Sequence, residues 1–295
     1  MNPINSSSLF HFTDQIEYLK GILENGFRYS YSFELYPSRK KRTKGCAIPM
    51  ICFCDIPLTR TLEHSSNYGK YCIGLEKKPL VSELKEHINP VVYLSSTHLQ
   101  NNIIELRATD KWLSSDLCSR IGISKRKLNS ICEDIYDYDK IYSAIDTIEA
   151  HCSEDYWRFL ENQKTLYYLL GYCKTTYSGS KHDNFDYYDE REWRIISLFS
   201  PKTKNWILDI TKTKFDKIKT TLNDNTPYLK IYPSRFSFIN FIIVENDTEL
   251  DIITEFILTS NKLFGVNIGF SKAEMKKRYS LITKLTSFER IEKDY

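Results

Sequence analysis

The period of the hydrophobic positions changes several times along the chain, and each change marks an element. Residues 9–13 read Leu-Phe-His-Phe-Thr, an aromatic run with strand preference. Asp14 follows as a helix N-cap, and Ile16, Leu19, Ile22 and Leu23 recur at helical spacing until Gly26 stops the helix. Residues 48–57, Ile-Pro-Met-Ile-Cys-Phe-Cys-Asp-Ile-Pro, predict a short buried strand bounded by prolines. Residues 71–75 predict a second strand, reached through the loop sequence Asn67-Tyr68-Gly69, and residues 90–94 a third. From about 100 to 175 Gly is rare and charged residues interleave with Leu, Ile and Tyr, which predicts helices, clearest over 139–150 and 155–170. Residues 175–181 read as a loop and 192–198 as a strand. Residues 238–244 form the most apolar strand of the chain. A helix over 249–261, a strand over 266–270 and a final helix over 271–286 complete the pattern.

This order predicts an α+β fold in one domain, residues 1–295, with a β-rich core split by a helical insertion at about 100–175. Both ends of the insertion are tied to core strands, so it is expected to pack beside the sheet. There is no internal repeat and no low-complexity tract.

Composition narrows the class. Charged residues make up 27% and hydrophobic residues 41%, a balance that suits a soluble globular protein. The 41 basic and 38 acidic side chains leave a net charge of +3, which excludes a polyelectrolyte tail but not a local basic patch. With 10 Gly and 9 Pro in 295 residues, neither disorder nor a many-turned β-sandwich is expected. No window approaches the roughly 18 consecutive apolar residues of a membrane helix. Met1-Asn2-Pro3-Ile4 does not read as a secretory signal, so a cytoplasmic location is expected. The eight cysteines form no C-x-x-C pair and read as reduced, mostly buried thiols.

Three segments carry candidate chemistry. Alternation places His11 and Thr13 on one face of the first strand, opposite Phe10 and Phe12, where they line a cleft or rest against backbone. His64 to Tyr71 is a dense polar segment between two buried strands, either a binding loop or a plain crossover. In Tyr188-Asp189-Glu190-Arg191-Glu192-Trp193-Arg194, alternation puts Glu190, Glu192 and Arg194 on one face. That face suits acid–base work or stabilisation of a developing cation, or else a solvated face on which Arg194 neutralises Glu192. Residues 37–45 hold Arg39, Lys40, Lys41, Arg42 and Lys44 in an exposed basic loop, a candidate nucleic-acid contact. Neither common phosphate loop is present, nor any of the usual hydrolase or metalloprotease motifs. A nuclease would need a carboxylate cluster with a strand lysine, and no such spacing stands out. Six His without close pairing point to no metal site.

Ser7-Ser8-Leu9-Phe10-His11-Phe12-Thr13, the run from Ile48 to Leu58 with its Cys-Phe-Cys-Asp-Ile-Pro core, His64 to Leu75 and Asn89-Pro90-Val91-Val92-Tyr93 together resemble the AbiGi-type abortive phage-infection proteins. The likeness resumes at Glu190 to Arg194 and at Phe241-Ile242-Ile243-Val244. A more distant likeness, carried by His-x-Thr on an early strand and by Glu190-Arg191-Glu192, is to ADP-ribosyltransferase toxins. That likeness implies a split-sheet core of ADP-ribosyltransferase type and NAD as co-substrate. It implies Glu192 as the catalytic carboxylate, Glu190 as the group orienting the acceptor, and His11 with Thr13 on the adenosine side of NAD. Tyr68 or Tyr71 would stack on nicotinamide, and Arg28 or the basic loop at 39–44 would meet the pyrophosphate. The expectation is therefore a defence toxin that moves ADP-ribose onto a nucleic acid, partnered by a cognate antitoxin and a chaperone. The AbiGi likeness implies an alternative, a non-enzymatic antitoxin or binding module.

Overall fold

The aromatic run at the start of the chain lies in the middle of a large sheet. The computed structural model describes residues 6–35, 44–84, 87–94, 171–175, 191–196, 208–224 and 226–294. The chain divides into two compact units. One comprises Met1–Leu35, Thr43–Tyr93 and Tyr172–Tyr295. The other, Tyr36–Arg42 with Leu94–Gly171, lies almost wholly outside the described residues. The helices expected over 139–150 and 155–170, and the loop over 176–181, fall outside them too.

The first unit is α+β, as the pattern predicts. Among the described residues its sheet has nine strands: β1 (Ser8–Thr13), β2 (Ser30–Leu35), β3 (Lys44–Cys54), β4 (Tyr71–Glu76), β5 (Ile88–Pro90), β6 (Glu192–Ile196), β7 (Leu208–Thr211), β8 (Ile239–Val244) and β9 (Leu285–Ser287). Their order is β9-β8-β4-β1-β3-β6-β5, and β2 and β7 also pair with β3. Among these described strands β8 and β9 run parallel and the other pairings are antiparallel. Seven of these strands lie on one path, and β2 and β7 branch from it at β3. The α-helices among the described residues are α1 (Ile16–Asn25), α2 (Thr61–Tyr68), α3 (Lys77–Glu83), α4 (Lys212–Asp224), α5 (Leu250–Thr259), α6 (Lys272–Ile282) and α7 (Phe288–Asp294).

Register decides which residues share a face. Phe10 stands opposite Cys54, and Cys54 opposite Glu192, so these three form a row on one side of the sheet. One residue along, His11, Phe53 and Trp193 belong to the other side. The side with His11 carries the larger core. There Leu9, Phe53, Ile73, Ile195 and Ile242 meet Leu19 and Leu23 of α1, Ile253 and Ile257 of α5 and Leu281 of α6. The other side buries Phe10, Cys72 and Ile243 against Phe288 and Ile291 of α7, with Leu62 of α2 packed alongside.

Several local expectations change. The prolines do not bound β3, which runs through Pro49. On one edge β3 pairs with β7 up to Ala47 and with β6 from Met50, so Pro49 falls where that edge changes partner and a missing N–H costs least. The polar segment from His64 is helix α2 rather than a loop, and Gly69, at φ 112°, ends it. Asp14 is not the cap of α1; Gln15 precedes that helix and makes no side-chain cap bond. The final helix stops at Ile282, after which β9 and α7 follow. The strand expected over 266–270 shrinks to Val266–Asn267.

Candidate functional site

Glu192 opens β6 and is buried, at 6% exposure, together with Arg194 at 1%. Two residues apart on one strand, they face the same side and form a two-pronged pair. Arg194 Nε donates to Glu192 Oε1 at 2.7 Å and Nη2 to Oε2 at 3.0 Å. The same Nη2 donates to Glu34 Oε1 of β2 at 2.7 Å. Lys174 Nζ donates to Glu192 Oε2 at 3.1 Å. The Glu192 backbone N–H donates to the Tyr93 hydroxyl at 2.9 Å. Burial alone pushes the Glu192 carboxyl upward, but the Arg194 charge and hydrogen bonds, followed by Lys174, outweigh it and hold the group down at about 2. The same surroundings act oppositely on Cys52, whose thiol is pushed well up by burial and then by the Glu192 charge.

A carboxylate whose two oxygens are both held by cations stays ionised near neutral pH and has no proton to trade. The cluster is chemically a clamp that ties β2, β6 and the Cys173–Thr175 strand together. The expected pairing of Arg194 with Glu192 is present, but on a buried face rather than a solvated one. Glu34, Lys174 and Tyr93, which complete it, carry no sequence signal of their own. Asp55, at the end of the Cys-Phe-Cys-Asp run, reinforces the same edge. Its N–H donates to the Arg191 carbonyl at 3.1 Å, and Lys77 pairs with its carboxylate. Arg191 itself sits at φ 43°, in the left-handed region.

His11 lies on the other side of the sheet. Its Nδ1–H donates to the Cys52 carbonyl at 2.8 Å, and its ring meets Phe27 edge-on with centroids 5.2 Å apart. Desolvation lowers its pKa, against a smaller upward contribution from the Cys52 carbonyl, so the ring is held neutral. Thr13 and Tyr71 are paired across β1 and β4. The Tyr71 hydroxyl donates to Glu249 Oε1 at 2.7 Å. Tyr68 ends α2 and stacks on His64. Arg28 donates through Nε to Thr226 Oγ1 at 3.2 Å and lies over the Tyr228 ring. Glu190, Arg39, Lys40, Lys41 and Arg42 lie outside the described residues. His11, Thr13 and Tyr71 thus belong to one side of the sheet and Glu192 to the other. His11 and Glu192, expected in one cleft, therefore stand on opposite sides of the sheet.

Comparison with known proteins supplies the family. Residues 30–245 match the family model described as abortive phage resistance protein AbiGi, antitoxin. The chain belongs to the AbiGi family. An abortive phage resistance protein AbiGi of Lactococcus lactis subsp. cremoris is 25% identical over 297 residues, covering 97% of this chain and 98% of that protein. No solved structure matches. These findings overturn the expectation of an ADP-ribosyltransferase toxin, because the family is described as an antitoxin. The enzymatic and NAD expectations rested on that reading, and neither the family match nor the described geometry supports them. Among the described residues, no helix is long and apolar enough to cross a membrane.

Proposed function

We propose that this chain is the neutralising half of an abortive-infection pair and restrains a toxic protein partner. The observation that carries the reading is the match of residues 30–245 to a family described as an antitoxin. The geometry is consistent with it. His11 and Glu192, expected to share one cleft, stand on opposite sides of one sheet, and Glu192 is neutralised within it by Arg194 and Lys174. A neutraliser needs a rigid, correctly shaped surface rather than a convergent active centre. An α+β core with helices against both sides of the sheet provides that surface.

The decisive experiment places the cognate toxin under an inducible promoter, with and without this chain. Growth should stop when the toxin is expressed alone and recover when the chain is co-expressed. Growth arrest by this chain alone, or failure to rescue despite soluble expression, would overturn the reading.

A further inference from the structure

Past helix α4, the side chains over residues 228–232 alternate out and in. Leu229 and Ile231 turn inward, the latter 7% exposed, while Tyr228, Lys230 and Tyr232 point out. Tyr228 is 41% exposed and Tyr232 51%. Tyr228 belongs to a two-stranded pairing with Phe27–Arg28, and Tyr232 is extended at φ −70° and ψ 150°. At about 3.3 Å per extended residue the two tyrosines are roughly 13 Å apart along the chain. A guanidinium accompanies each ring: Arg28 lies 5.9 Å from the Tyr228 centroid and Arg235 5.7 Å from that of Tyr232. Arg28 pairs loosely with Asp224 at 3.7 Å, and half-exposed Arg235 pairs closely with Glu83 while keeping part of its guanidinium open to solvent. Arg28 also bonds the Asn223 carbonyl, which fixes the end of α4 beside Tyr228. Further up α4, Lys214 and Lys217 are exposed and have no ion pair among the described residues.

We propose that this outward edge binds single-stranded nucleic acid, with Tyr228 and Tyr232 stacking on bases and Lys230, Arg235, Lys214 and Lys217 meeting phosphates. An acidic protein surface would be served by the lysines alone. Rings and cations alternating along one extended segment match a polymer in which flat bases alternate with charges. The proposal goes beyond the antitoxin reading and does not depend on it.

Fluorescence anisotropy of the full chain with labelled oligothymidylate and oligouridylate of about 15 nucleotides tests it. Binding should appear at low salt and weaken steadily as salt rises. Tyr228→Ala and Tyr232→Ala should each lose about tenfold or more in affinity, and Tyr→Phe at either position should retain it. Lys214→Glu with Lys217→Glu should flatten the salt dependence. Melting curves confirm that each variant is folded. Three outcomes overturn the proposal: no binding of either strand at low salt, affinity indifferent to the Tyr→Ala changes, or equally tight binding of polyglutamate or duplex. The last would make the surface a plain cationic dock for an acidic partner.

Discussion

At the residue scale, the two arginines buried most completely among the described residues, Arg194 and Arg278, are each held by several partners at once. Arg278 has 0% exposure; its guanidinium donates to the carbonyls of Ser260 at 2.9 Å and Ile268 at 3.1 Å, and also to those of Ile257 and Gly269. Phe270 covers it, with the guanidinium carbon 4.5 Å from the ring centroid. Arg278→Met would fill much of the space and orphan those carbonyls, so a loss of about 3 kcal/mol is expected in urea unfolding. Glu192→Gln keeps the side chain's shape but leaves Lys174 and part of Arg194 uncompensated in a buried site. It should cost about 3 kcal/mol, read as a lowered urea midpoint. A variant as stable as the parent would show that the clamp adds nothing to the fold. Rescue of growth in a toxin co-expression assay by a folded fraction of Glu192→Gln would agree with a structural rather than a catalytic carboxylate.

At the element scale, packing outweighs local preference. Helix α2 holds few apolar residues, and its polarity reads as a loop, yet Thr61 and His64 are buried and Phe12 stacks on His64 across from β1. Tertiary contact of this kind overrides weak propensity. The turn after α2 depends on Gly69: at φ 112°, an added Cβ would fall 2.3 Å from the Thr13 carbonyl carbon and oxygen. Gly69→Ala therefore forces backbone against backbone and should destabilise by about 3 kcal/mol or more, measurable as a drop in melting temperature. Helix α1 was legible because Leu19 and Leu23 lie on one stripe and Gly26 stops it. Helix α6 was legible at its start, where Ser271 and Glu274 form a reciprocal capping box. Its end was not, because Leu285 is drawn into a parallel pairing with Ile242 that lies 43 positions away in sequence.

At the scale of the whole molecule, acid should weaken the fold in two stages. His11 is held neutral in the folded chain, whereas the unfolded chain takes up a proton near 6.5, so stability falls as pH drops below that value. Glu192 titrates at about 2 when folded and near 4.5 when not. Its contribution, on the order of 3 kcal/mol, is therefore present above about 4.5 and lost as pH falls toward 2. Urea midpoints followed from pH 7 downward should decline in both windows. His11→Gln should flatten the first window and Glu192→Gln the second; a profile unchanged by either substitution would contradict the assignments.

The sequence by itself determined the strands and helices whose period is strong, the α+β class, and the AbiGi likeness that the family match bears out. It also determined that His11 and Thr13 share a face and that Glu192 and Arg194 share one, because alternation along a single strand is a local property. It did not determine that those two faces are opposite. That depends on the register of β1 against β3 and of β3 against β6, where a shift of one residue would reverse every side chain. Nor did it reveal Glu34 and Lys174 as partners of Glu192 and Arg194, since their meeting is a product of strand pairing between distant segments. Only the tertiary structure decided that Glu192 is a buried, charge-balanced clamp, because burial and pairing are set by neighbours that the local sequence does not contain.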